Sequence, residues 1–158
     1  MTDDQILDER ARLYAREAVE ATPQGQARCL QIELGGRRWL FPEQEVSALL
    51  PPGRTAELPP GVRWGDWPCQ GLLSHSLAIL PLFCWSVLTG AGPLDPSADS
   101  SLLVVSAVAV ALRVPGPVDM VDADLSSLSP DDHPWSLGLT PKGRTVANLA
   151  RLHPQGGA

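Results

Sequence analysis

A chain of 158 residues, 44% of them hydrophobic, is long enough for one core or for two small halves that share one, and its 16 prolines and 14 glycines favour short turn-linked strands over long helices. Twelve basic residues against 18 acidic ones give a net charge of −6 without any basic run, which excludes the concentrated positive face that nucleic acid requires. The cysteines, Cys29, Cys69 and Cys84, are odd in number, far apart and set among apolar neighbours, a pattern of reduced core thiols rather than of a disulfide or zinc site.

The first predicted element is an amphipathic helix over residues 3 to 21, within an N-terminal segment 1–22. Thr2 and Gln5 have capping-box spacing, Asp3 and Asp4 suit the positive end of the helix dipole, and Leu7, Ala11, Tyr14 and Ala18 form a narrow apolar stripe. Thr22-Pro23-Gln24-Gly25 stops it. The period then changes to that of strands: Cys29, Leu30, Ile32 and Leu34, then Gly35-Gly36, then Trp39, Leu40 and Phe41 predict a hairpin on a glycine turn. A short helical turn is expected from Glu43 to Leu50 and a strand from Thr55 to Leu58, each ended by a Pro-Pro-Gly triplet.

Buried strands follow at Gln70 to Leu73 and Ala78 to Leu82, and a helical turn over Phe83 to Leu88 ends at Gly90. Residues 91 to 101 read as a loop between two halves, roughly 28–90 and 102–152, of a single domain spanning 27–152. Leu102 to Val105 and Ala107 to Val114 predict a second apolar hairpin bending near Ser106. The acidic, serine-rich stretch up to Asp132 reads as a solvated loop face. Trp135 to Leu139 and Arg144 to Leu149 give a last strand pair, and residues 153–158 a tail. No charged-then-apolar leader opens the chain, and the run from Leu77 to Leu88 is too short and too interrupted by Pro81 to span a bilayer, so a cytoplasmic protein with no direct membrane insertion is expected.

Reactive chemistry finds little support. Neighbouring strand residues point to opposite faces, so Ser74, His75 and Ser76 do not assemble as nucleophile and base, and no Gly-x-Ser-x-Gly elbow surrounds them. Cys84 between Phe83 and Trp85 reads as an inert buried thiol, which leaves a small Cys/His hydrolase with His75 as a weak alternative. His133 and His153 lack a third metal ligand at usable spacing. Asp119, Asp122, Asp124, Asp131 and Asp132 lack the glycine and terminal glutamate of a calcium loop. Gly35-Gly36 leads into a strand rather than a helix, so it is no phosphate loop. The expectation is no cofactor. Trp39 and Trp85 read as core, while Trp64, Trp67 and Trp135, among Gly, Pro and Asp, are candidates for interface anchors or for burial under a loop.

The order of these elements resembles the CheW-like domain, the adaptor fold of bacterial chemosensory arrays. Gly35-Gly36-Arg37-Arg38-Trp39-Leu40-Phe41-Pro42, followed by Val46 and Leu49-Leu50-Pro51, matches its opening hairpin and Leu-Pro segment. Gly71 and Pro81 stand at the ten-residue separation of the family pattern Gly-x-x-Asn-Leu-Arg-Gly-x-x-x-Pro-Val-x-Asp-Leu, continued by Leu82, Trp85 and Leu88-Thr89-Gly90. Leu102 to Val105, Val110 to Val114 and Gly143 to Leu149 resemble its later strands.

The resemblance implies a mainly β fold of two interleaved SH3-like five-stranded barrels preceded by a helix. It also implies a non-enzymatic adaptor that couples a chemoreceptor cytoplasmic helix to a CheA-type histidine kinase, in chemotaxis or type IV pilus motility. Leu72, Ser74, His75 and Ser76 fall at the expected partner-binding positions. Here Ser74-His75-Ser76-Leu77 replaces Asn-Leu-Arg-Gly and Cys84 replaces the aspartate, which implies an altered partner surface, or a module for another partner or for self-association. Ser76 offers one hydroxyl where the family's guanidinium offers five donors, so receptor affinity is expected to be weak or to come from apolar contacts.

Overall fold

The structure, a computed structural model, describes residues 26–53, 55–95 and 98–153; the helix expected over residues 3 to 21 and the tail from residue 154 lie outside them. In chain order the strands are β1 (Gln26–Leu34), β2 (Arg37–Pro42), β3 (Ala48–Leu50), β4 (Thr55–Glu57), β5 (Arg63–Trp64), β6 (Trp67–Pro68), β7 (Gly71–His75), β8 (Ala78–Cys84), β9 (Ser100–Val105), β10 (Val110–Pro115), β11 (Asp119–Asp124), β12 (Ser136–Leu139) and β13 (Thr145–Ala147). A short helix, α1 (Trp85–Leu88), follows β8.

The predicted β1–β2 hairpin forms around Gly35 and Gly36, whose φ angles of 61° and 77° are the left-handed pair that a two-residue turn of this twist demands. From it one sheet grows in the order β11-β1-β2-β13-β12, and a bridge between Ser129 and Leu139 helps curl it back on itself. A second sheet runs β3-β9-β10-β8-β7-β4, while β5 and β6 make a small separate ribbon. The fold is therefore mainly β, two curled sheets side by side. Each sheet takes strands from both sides of residue 95; two of the joins are parallel, β13 with β2 and β10 with β8, and two are antiparallel, β11 with β1 and β9 with β3.

Strand alternation sorts the apolar residues into three clusters. On β2, Leu40 points into the first sheet's own interior with Cys29, Ala123 and Val146, while Trp39 and Phe41 point the other way. In the second sheet Leu82, Ala111 and Val104 line its interior with Leu73, Leu80 and Leu102, whereas Phe83, Leu112 and Leu103 face outward. The outward residues of both sheets meet in one large shared core, closed by Trp85, Trp135, Leu149 and Leu152.

Two expectations need correction. Residues 43 to 50 are not one helical turn: only Glu43–Glu45 forms a single 3-10 turn, and Ala48–Leu50 is a strand on the edge of β9. Ser47 decides this by donating both its backbone N–H (2.8 Å) and its hydroxyl (2.9 Å) to the Val104 carbonyl, which lays the segment against the sheet so that Ala48 and Leu50 pack on its interior. The second sheet thus has six strands where the family resemblance implied five. The acidic stretch, likewise, is not all loop. Asp119–Asp124 forms β11, because Val121 and Ala123 alternate with the aspartates and face the first interior. Its exposed carboxylates guard what would otherwise be an open sheet edge.

Candidate partner-binding site

The four residues singled out from the sequence lie on the β7–β8 hairpin. Its register pairs Gly71 with Leu82, Leu72 with Pro81, Leu73 with Leu80, Ser74 with Ile79 and His75 with Ala78. Gly71 is fixed by space: a Cβ there would stand 2.5 Å from the Ala56 carbonyl oxygen on β4. Leu73, Leu80 and Leu82 are buried inside the sheet, so the half-buried Leu72 and the exposed Ser74 share the opposite face with Ile79. His75 is half-buried on the Leu73 side, and Ser76 stands in the turn. The fold brings the four onto one hairpin but not onto one face.

The turn consists of Ser76 and Leu77, with φ angles of 48° and 64°. Both are left-handed, the geometry for which hairpins select Asn-Gly or Gly-Gly. Leu77 is fully exposed, at 109% of its reference area, and Ile79 is 71% exposed.

A second feature was not read from the sequence. A cleft of about 380 Å³ opens between the β1–β2 turn, the end of α1 and residue 133, lined by Leu34, Arg37, Trp39, Thr89, Ala91 and His133 among others, and by none of the four hairpin residues. Its wall is tied by polar contacts across the chain. Arg37 Nη1 donates to Asp131 Oδ2 at 2.7 Å and to Thr145 Oγ1 at 3.3 Å. The His133 N–H reaches Asp131 Oδ1 at 3.4 Å. Burial works to raise the Asp131 carboxyl, but hydrogen bonds from Ser136, Arg37 and the His133 N–H, with the Arg37 charge, outweigh it and hold the group below its ordinary value. His133 Nδ1 accepts from the Trp135 N–H at 3.1 Å, so its Nε2 carries the proton and points at the Thr89 carbonyl 3.3 Å away. The ring also packs edge-on against Trp39, with centroids 5.0 Å apart. The one sequence signal for this network was the His133-Pro134-Trp135 triplet, whose partners lie far away along the chain.

Behind the cleft, Trp85 contacts Trp39, Phe41 and Trp135 at ring centroids of 5.2, 5.3 and 5.5 Å. Trp67 packs tilted against Trp135, with ring centroids 4.8 Å apart, and the Arg151 guanidinium lies over both rings. Trp135, a candidate for exposure, is thus core, while Trp64 remains 44% exposed. All three cysteines are free and buried. Cys84 Sγ lies 3.0 Å from Ser86 Oγ. Burial above all, with Asp122, Glu45 and Glu43 adding to it against Arg144, pushes the Cys29 thiol up to about 11, so it stays protonated at neutral pH. Among the described residues no group of three or more His, Cys, Asp and Glu could hold a metal ion, and no helix is long and apolar enough to cross a membrane.

Paired curled sheets, interleaved through two parallel joins around a shared aromatic core, define a CheW-like fold. The chain is similar to the scaffolding protein TtCheW from Thermoanaerobacter tengcongensis, with a TM-score of 0.66 at 15% sequence identity over 83% of this chain and 90% of that one. No family model and no curated protein matches the sequence.

Proposed function

We propose that this chain is a cytoplasmic, non-enzymatic adaptor of bacterial chemosensory signalling that couples a chemoreceptor cytoplasmic helix to a CheA-type histidine kinase, in swimming chemotaxis or type IV pilus motility. The observation that carries the proposal is the shared fold with a scaffolding protein along 90% of that protein's length. The sequence match at Gly71 and Pro81 supports it; both residues sit in the β7–β8 hairpin, Gly71 opposite Leu82 and Pro81 opposite Leu72. In this reading residues 27–152 act as one domain, and Leu72, Ser74, His75 and Ser76 belong to the receptor-facing hairpin. An unpaired strand edge of one of the sheets supplies the surface for the kinase's own CheW-like domain.

The replacement of the family's Arg-Gly by Ser76-Leu77 favours a second reading, a divergent module that keeps the fold and engages a different partner. Titration calorimetry of the full chain against the kinase's CheW-like domain and against a soluble receptor helical hairpin separates the two. The adaptor reading expects saturable binding to the kinase domain, and no binding to either probe would overturn it.

A further inference from the structure

Leu77 stands in a conformation that a leucine has reason to avoid. The left-handed region brings its Cβ against the following carbonyl at a cost of about 1–2 kcal/mol, and the family pattern places glycine at this position. The side chain recovers nothing by packing, because it is fully exposed, and Ile79 beside it is 71% exposed. A glycine would remove both the strain and the apolar exposure. The turn needs the left-handed geometry but not a leucine in it, and strain of that kind points to a role in recognition.

The electrostatics narrow the partner. From residue 67 to residue 94 the chain has no Asp, Glu, Lys or Arg, so the β7–β8 hairpin itself brings no carboxylate, ammonium or guanidinium group to a partner. A single leucine projecting from a two-residue turn has the shape of a knob, and the matching hole is the one formed by four side chains on the apolar stripe of a helix. We propose that Leu77, supported by Ile79, is the specificity-determining anchor of this hairpin and that its occupant is the uncharged apolar stripe of a receptor helix; the inference rests on the adaptor reading. The tip has exchanged a charged grip for an apolar one, so a receptor that presents a carboxylate there is not its partner.

The test uses the full chain, Leu77→Gly, a recombinant soluble receptor helical hairpin from the same organism, and the kinase's CheW-like domain. Leu77→Gly is expected to melt at or above the wild-type temperature, to weaken receptor binding about tenfold or more, and to leave kinase binding unchanged. Wild-type receptor affinity is expected to change less than about twofold between low and high salt, because the hairpin carries no Asp, Glu, Lys or Arg whose ion pair salt could screen. Unchanged receptor affinity in Leu77→Gly, a variant that melts well below wild type, or strongly salt-dependent binding would each overturn the anchor. Wild-type binding to the kinase alone overturns the anchor and leaves the adaptor reading standing. Binding to neither probe overturns both.

Discussion

Two single residues make the stability of this protein depend on pH, at opposite ends of the scale. Asp131 titrates below its ordinary value in the folded state, so its stabilisation is fully present above about pH 4 and is lost as pH falls through the depressed folded value. Asp131→Asn, which keeps the shape and removes the charge facing Arg37, should lower the unfolding free energy at pH 7 by about 1–3 kcal/mol and flatten its acid slope. Denaturant titrations of both proteins at pH 7 and pH 3 check this. Cys29 works in the other direction. Its folded value of about 11 lies above the ordinary thiol value of 9.0, so the folded state holds its proton longer and stability falls as pH rises from about 9 to 11. Cys29→Ala should remove that part of the alkaline slope, and a thiol reagent should label the native wild-type cysteines slowly at pH 8, since all three are buried.

At the scale of elements, the β7–β8 hairpin depends on one close approach. Gly71→Ala would drive a methyl group into the Ala56 carbonyl and should cost about 1–3 kcal/mol, seen as a lower denaturation midpoint with an unchanged slope. The hairpins were legible because their signals are local. Gly35-Gly36 announces its own turn, and the apolar runs around residues 80 and 104 can hardly be anything but buried strands. β3 and β11 were not legible, for one physical reason: each becomes a strand through a neighbour distant in the chain. Ser47 and Leu50 look helical until the Val104 carbonyl is available, and Asp122 and Asp124 look solvated until β1 takes up the residues between them. At the candidate site the sequence located the hairpin but passed over Leu77, since an apolar residue in an apolar run reads as core until its φ angle and exposure are known. The cleft at His133 joins Leu34, Gly35, Arg37 and Trp39 to residues 89 to 91 and 133, so no local pattern could have drawn it.

At the scale of the whole molecule, Trp85 holds the two sheets together. It is fully buried and touches Trp39 and Phe41 of the first sheet while sitting at the end of β8 in the second. Trp85→Ala should cost about 3–5 kcal/mol, and the loss should be felt by both sheets at once. Tryptophan fluorescence and far-ultraviolet circular dichroism should therefore report one coincident unfolding transition in the wild type. Two separate transitions would mean that the shared core does not couple the sheets.

The parallel joins of β2 to β13 and of β8 to β10 carry a consequence for anyone who cuts the chain. Residue 95 looks like an obvious place to divide the protein, yet a cut there leaves each fragment with parts of two unfinished sheets and with neither sheet whole. The pieces should fail to fold apart and should assemble when mixed, each providing the template on which the other's strands are laid. The protein is in this sense a ready-made complementation pair, and attaching the halves of a reporter to the two fragments would turn the weave of its strands into a sensor of their meeting.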